Sequence, residues 1–226
     1  MTIDEGTYLS IGGVDQWVAL RGSDDANPLL LILSGPGVAL SAMAPFFAPW
    51  ERDFTLAHWD QPGAGATFAR NAAVGAGPLS FERLARDGVG VAEWALRRAG
   101  SRPLVLLGLS AGTIVGLRMA QARSDLFAAY VGTGQVVHWG RQQRLAYDAV
   151  LRAARDAGRT ADVAALEQIG PPPYANVASD VVLGTYAGRM TPAEQAAFAS
   201  LDPTTAAAMR TPPPEARYLP RGVTLP

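Results

Sequence analysis

Cysteine is absent from the 226 residues. That excludes disulfide frameworks, thiolate zinc sites, iron–sulfur clusters and a cysteine nucleophile. Lysine is absent too, since all 19 basic residues are arginine, which removes Schiff-base chemistry and a P-loop lysine. Histidine occurs twice, at His58 and His138, so one chain cannot build a site of three imidazoles. No metal or cofactor is expected. Charged residues make up only 17% of the chain and the formal net charge is −1. Nucleic acid and an anionic membrane both demand a basic face, so neither is expected as a partner. No apolar run is long enough to span a bilayer, and Met1 to Gly13 holds no basic, apolar leader. The chain reads as soluble and cytoplasmic.

Hydrophobic residues are plentiful, at 49%, which rules out a disordered chain. The length allows one large domain, or a core with a modest cap, and burial of about 70% of the unfolded surface. Leu29–Leu33 is a continuous apolar run, the pattern of a strand buried on both faces. Gln16–Leu20, Phe54–Trp59, Leu104–Leu107 and Phe127–Val131 also read as strands. Ser80 can cap a helix to about Ala99, with Leu84, Val91, Trp94 and Leu96 as apolar positions and Gly100 as its stop. Ala111 to Arg123 reads as another helix. Strands alternating with helices predict an α/β fold, a mostly parallel sheet with helices on its faces.

The composition changes after Gly134. Beyond it there is no convincing strand, prolines cluster at 171–173 and 212–214, and Leu145–Ala157 has an amphipathic pattern. Thr191-Pro192-Ala193-Glu194 is a capping box with proline at the first helical position. Residues 1–134 are therefore expected to form the α/β core and 135–226 a helical cap. The competing reading of the second segment is a poorly ordered tail.

Three glycine-rich turns carry the chemistry, and each follows a strand. The first is Ser34-Gly35-Pro36-Gly37, after Leu29–Leu33. The second is Asp60-Gln61-Pro62-Gly63-Ala64-Gly65, after a strand containing His58, which is expected to be structural. The third, Gly108-Leu109-Ser110-Ala111-Gly112, lies between a strand and a helix. In a strand–G-x-S-x-G–helix unit the turn is so tight that the serine takes a strained backbone. Glycines two residues to either side avoid clashes, and the hydroxyl stands at the positive end of the following helix. About 0.1 such pentapeptides would arise by chance in a chain of this composition. The competing reading is a Gly-rich turn with an uninvolved serine. Open α/β sheets place their sites at such carboxyl edges, and a backbone N–H from the first turn together with that of Ala111 would form an oxyanion hole.

Taken together, these turns resemble the α/β-hydrolase fold and, within it, the proline iminopeptidase family of serine peptidases. That family carries H-G-G-P-G, D-Q-R-G-x-G-x-S and G-x-S-x-G after successive strands. Gly12 to Trp17 and Gly132 to Val137 are also similar to it. The resemblance implies that Ser110 is the nucleophile, that Gly35 and Ala111 supply oxyanion N–H groups, and that Gly108 and Gly112 shape the elbow. It implies a small peptide, amide or ester substrate, in the family typically with an N-terminal proline or another small residue. The segment after Gly134 would be the cap. Glu167 and Glu194 are candidates for holding a substrate amine.

The chain departs from this pattern in several places. The first turn is one residue short, or Leu33 replaces its histidine. Pro62 stands for the usual arginine, and Ala111 for a tryptophan beside the nucleophile. The family's Asp and His follow two further strands beyond the cap, whereas the only histidine after Ser110 is His138. The expectation is a fragment of a hydrolase of about 300 residues. Its sheet would be incomplete on the C-terminal side, with an exposed edge that favours self-association. Two other readings stay open: a degenerate hydrolase fold used for binding, and an esterase that recruits His138 as base.

Overall fold

The computed structural model describes residues 1–76, 79–100, 102–174 and 183. The capping box at 191–194, Glu194 and the prolines at 212–214 lie outside the described residues. The chain divides into two compact units between Gln135 and Val136.

The first unit is built on a six-stranded sheet of order β1-β2-β4-β3-β5-β6. Strands β1 (Ile3–Ile11) and β2 (Val14–Gly22) form an antiparallel hairpin. Its two-residue turn, Gly12-Gly13, has φ of 58° and 77°, a backbone that only glycine adopts without cost and that matches the strand twist. The sequence reading did not identify β1, because as an edge strand it shows neither an apolar run nor a fully buried face. Strand β2 alternates strictly between buried and half-buried residues. Gln16 occupies one of its buried positions. Its side chain accepts from the Trp59 indole at 2.8 Å and donates to Asp87 at 2.9 Å, so this polar residue is satisfied inside the core.

Strands β3 (Leu29–Leu33) and β4 (Thr55–Trp59) are buried at every residue, as expected for parallel strands covered on both faces. β3 lies between β4 and β5 (Leu104–Leu109), parallel to both. From β3 the chain runs through the short helix α1 (Ala44–Phe47) to β4 on one side. It then crosses back through α2 (Gly65–Ala76) and α3 (Phe81–Ala99) to reach β5 on the other. The loops after β3 and β5 thus part at a topological switch point, where sheets of this kind open a crevice. Helix α4 (Gly112–Ala122) follows β5 and leads to β6 (Ala129–Thr133), which pairs with β5. Among the described residues β6 is the sheet's edge, and its Val131 is 48% exposed. The sheet formed by the described residues is not closed.

Helix α3 starts and stops where its sequence signals stand. The Ser80 hydroxyl accepts from the Arg83 N–H, and Gly100 turns left-handed at φ 78°. Its buried stripe differs from expectation. Leu84, Gly88, Val91, Ala92, Ala95 and Ala99 face inward, while Trp94 and Leu96 are half-buried. Small residues serve because the helix packs closely: a methyl on Gly88 would lie 3.0 Å from Met119 Cε and 3.2 Å from the Trp59 ring.

The second unit contains helices α5 (Trp139–Asp156) and α6 (Thr160–Ile169). Tyr147, Ala154, Leu166 and Leu183 form its core, and the Tyr147 hydroxyl donates to the Leu166 carbonyl at 3.2 Å. Helix α5 begins six residues before the predicted Leu145, because His138 caps it: Nδ1 accepts the Arg141 N–H at 3.2 Å.

Candidate active site

Ser110 directly follows β5 and has φ of 52°, the one positive value at a non-glycine residue among those described. Such a backbone costs an L-residue on the order of 1–3 kcal/mol and persists only where its surroundings impose it. The surroundings here are two hydrogen-bond clamps. The Ser110 N–H donates to the Thr133 carbonyl at 2.9 Å. The Ser110 carbonyl accepts from the Thr113 N–H at 2.9 Å and from the Thr113 hydroxyl at 2.5 Å. The side chain is exposed, and its hydroxyl makes no hydrogen bond among the described residues.

Gly108 and Gly112 are both required by space. A Cβ on Gly108 would fall 2.8 Å from Thr113 Cα. One on Gly112 would fall 2.7 Å from the Leu33 carbonyl carbon and 2.8 Å from that of Ser34. These are backbone atoms and cannot swing away. Gly112 is therefore what lets the first turn of α4 press against the end of β3, bringing the first loop beside the third.

That approach sets Gly35 beside Ala111: a Cβ on Gly35 would lie 3.3 Å from that of Ala111. Neither the Gly35 nor the Ala111 N–H has an acceptor among the described residues. Gly35 and Ala111, two residues whose N–H groups have no acceptor among those described, thus lie side by side, next to an exposed serine at the N-terminal end of α4. The first loop is held by the Ser34 hydroxyl, 3.3 Å from the Val38 carbonyl, and by a left-handed Gly37 at φ 84°. Leu33, at the position of the family's histidine, is the last residue of β3 and fully buried.

The second loop supports the first from below. Asp60 is fully buried and accepts from Ser41 N–H at 3.0 Å, Ser41 hydroxyl at 2.6 Å and Ala66 N–H at 2.9 Å. Its carbonyl accepts from the Thr67 hydroxyl at 2.5 Å. Gln61, also fully buried, donates to the Ser34 carbonyl at 3.1 Å. The sequence reading assigned no role to Thr113, Asp60 or Gln61. A polar residue three positions after the elbow serine, and an acid ahead of a glycine-opened helix, were the available signals.

His58 is a core residue and His138 a helix cap. His58 is 1% exposed, and both its ring nitrogens lack partners among the described residues. Burial, aided by the positive charge of Arg21, pushes its pKa down to about 4. It lines a separate cavity of about 230 Å³ with Trp17, Arg21 and Ser41. His138 uses Nδ1 to cap α5. Glu167 is exposed on α6 and paired with Arg155 at 2.7 Å. Among the described residues no group of three or more His, Asp or Glu converges as metal ligands, and no helix is long and apolar enough to cross a membrane.

The chain is 32% identical over 169 residues to a probable aminopeptidase of Bacillus subtilis, YbaC, covering 74% of this chain and 52% of that protein. It therefore spans about half the length of the curated relative it matches. Among solved structures it is similar to a proline iminopeptidase-related protein from Thermus thermophilus. The TM-score is 0.53 at 19% identity, over 92% of this chain and 64% of that one. It is also similar to a carboxyl esterase from Bacillus coagulans, with a TM-score of 0.52 at 12% identity, over 83% and 65% of the two chains. No family model matches the chain. The chain belongs to the α/β-hydrolase fold family.

Proposed function

We propose that this α/β-hydrolase fold serves acyl transfer through Ser110, as a serine hydrolase that cleaves amides or peptides with a small N-terminal residue. One observation carries the reading: Gly35 and Ala111, whose N–H groups have no acceptor among the described residues, lie side by side next to an exposed serine held at φ 52°. In this reaction Ser110 Oγ attacks the substrate carbonyl carbon. The carbonyl oxygen becomes an oxyanion held by the two N–H groups. A base takes the Oγ proton and gives it to the amine as the C–N bond breaks; water then attacks the acyl-serine, which regains its Oγ proton and releases the acid. One such oxyanion donor is worth roughly 10²–10³ in turnover. The amide substrate class rests on the motif resemblance and on the likeness to a probable aminopeptidase.

A serine hydroxyl needs a neighbouring base. Neither His58, buried with its pKa lowered, nor His138, spent as a cap, has the features of one. The proposed reaction therefore takes its acid and base from residues other than these two histidines. The same lack favours a second reading, in which the chain binds such substrates without turning them over. Release of aminomethylcoumarin from its prolyl and alanyl amides, beside hydrolysis of p-nitrophenyl butyrate, separates these. Amide turnover lost in Ser110→Ala supports the peptidase reading, and ester turnover alone supports an esterase. Substrate binding without turnover supports the binding module.

A further inference from the structure

We infer that Gln61 is a positioning residue for the oxyanion hole: its side-chain amide holds the Ser34–Gly35 peptide so that the Gly35 N–H faces the reacting carbonyl. The inference rests on the acyl-transfer reading above and deepens it.

Gln61 Nε2 donates to the Ser34 carbonyl at 3.1 Å. A carbonyl only accepts, so the nitrogen of the amide must face it. In a trans peptide the C=O and N–H point in opposite directions. Fixing the Ser34 carbonyl therefore fixes the Gly35 N–H on the other side. Nothing in the sheet does this. The β3–β4 pairing ends at Leu31↔Ala57 and the β3–β5 pairing at Leu33↔Gly108, so Ser34 lies beyond both ladders. Because the residue after this peptide is glycine, it can rotate at little steric cost unless tethered.

Gln61 is itself firmly set. Asp60 before it is held by three donors, and its own carbonyl accepts the Ala64 N–H at 2.9 Å. Its Oε1, by contrast, is buried without a partner among the described residues. An unsatisfied buried acceptor costs stability, so an apolar side chain of similar size would serve packing better. What glutamine adds at this place is one donor, aimed at one carbonyl.

The test compares wild type with Gln61→Met, which keeps the shape and removes the donor, and with Gln61→Glu, which donates only when protonated. Phosphonylation of Ser110 by a fluorophosphonate needs the same oxyanion donors. Gln61→Met should lower the limiting labelling rate about 10- to 100-fold with the half-saturating probe concentration little changed. An equal rate in a folded variant overturns the inference. If Gln61→Met does not fold, Gln61→Glu decides. Its rate relative to wild type should fall as pH rises and the carboxyl ionises, and a constant ratio overturns the inference. If wild type is not labelled at all, the acyl-transfer reading fails separately. The ¹⁵N–¹H signal of Gly35 then decides the positioning role. It should shift or broaden in Gln61→Met while that of Ala111 stays, and an unchanged Gly35 signal overturns it.

Discussion

The Ser110 N–H donates to the Thr133 carbonyl at 2.9 Å, so the last residue of β6 holds the residue just past the end of β5. Together with the Thr113 clamp on the Ser110 carbonyl, this bond forces φ to 52° and turns the hydroxyl out of the sheet. The strain is stored in the backbone rather than in the side chain.

Replacing Ser110 by glycine should therefore stabilise the protein, by roughly 0.5–1 kcal/mol. Ser110→Ala keeps the Cβ and should leave stability near wild type. Urea unfolding of the three proteins checks this. Equal midpoints for Ser110→Gly and Ser110→Ala would mean that the turn is not strained.

Gly112 and Gly90 should respond in opposite directions to alanine. At Gly112 the new methyl meets the backbone of Leu33 and Ser34 at 2.7 and 2.8 Å, and relief requires α4 to move off β3. The expected cost is about 1–3 kcal/mol. At Gly90, inside α3, the methyl would rest 3.6 Å from Ile11, an ordinary contact. There the higher helix propensity of alanine should add about 1 kcal/mol. Thermal melts of the two variants should move apart, and a tolerated Gly112→Ala would refute the close approach of the two loops.

His58 should make stability fall in mild acid. Its folded pKa, about 4, lies below its ordinary value of 6.5. Between these values the unfolded chain binds the proton that the folded chain refuses. The stability present above pH 6.5 is thus lost as pH falls toward 4, by up to about 3 kcal/mol. In His58→Met that part of the slope should vanish. Unfolding free energies at pH 4.5 and 7 measure it, and the same slope in both proteins would assign the loss to other groups.

Much of this architecture was legible because local signals agreed with tertiary ones. Leu29–Leu33 is a strand from end to end because a central parallel strand needs apolar residues on both faces. Ser80 and Gly100 bound α3 because caps act locally. The elbow was readable because its glycines answer to steric contacts within five residues of sequence and to one neighbouring strand. β1 was not, since an edge strand of mixed polarity gains its structure from pairing with β2. The start of α5 was missed because the capping side chain, His138, is an imidazole and not a hydroxyl or carboxamide. The bond from Gln61 to Ser34 joins two loops 27 positions apart and exists only once β3 and β4 lie side by side.

The measurement that bears most directly on the account is peptide mapping by mass spectrometry after exposure to a fluorophosphonate, with Ser110→Ala beside wild type. The account predicts one adduct, on the peptide carrying Ser110, and none in the variant. No adduct on Ser110, or one elsewhere that persists in Ser110→Ala, would contradict its role as the nucleophile.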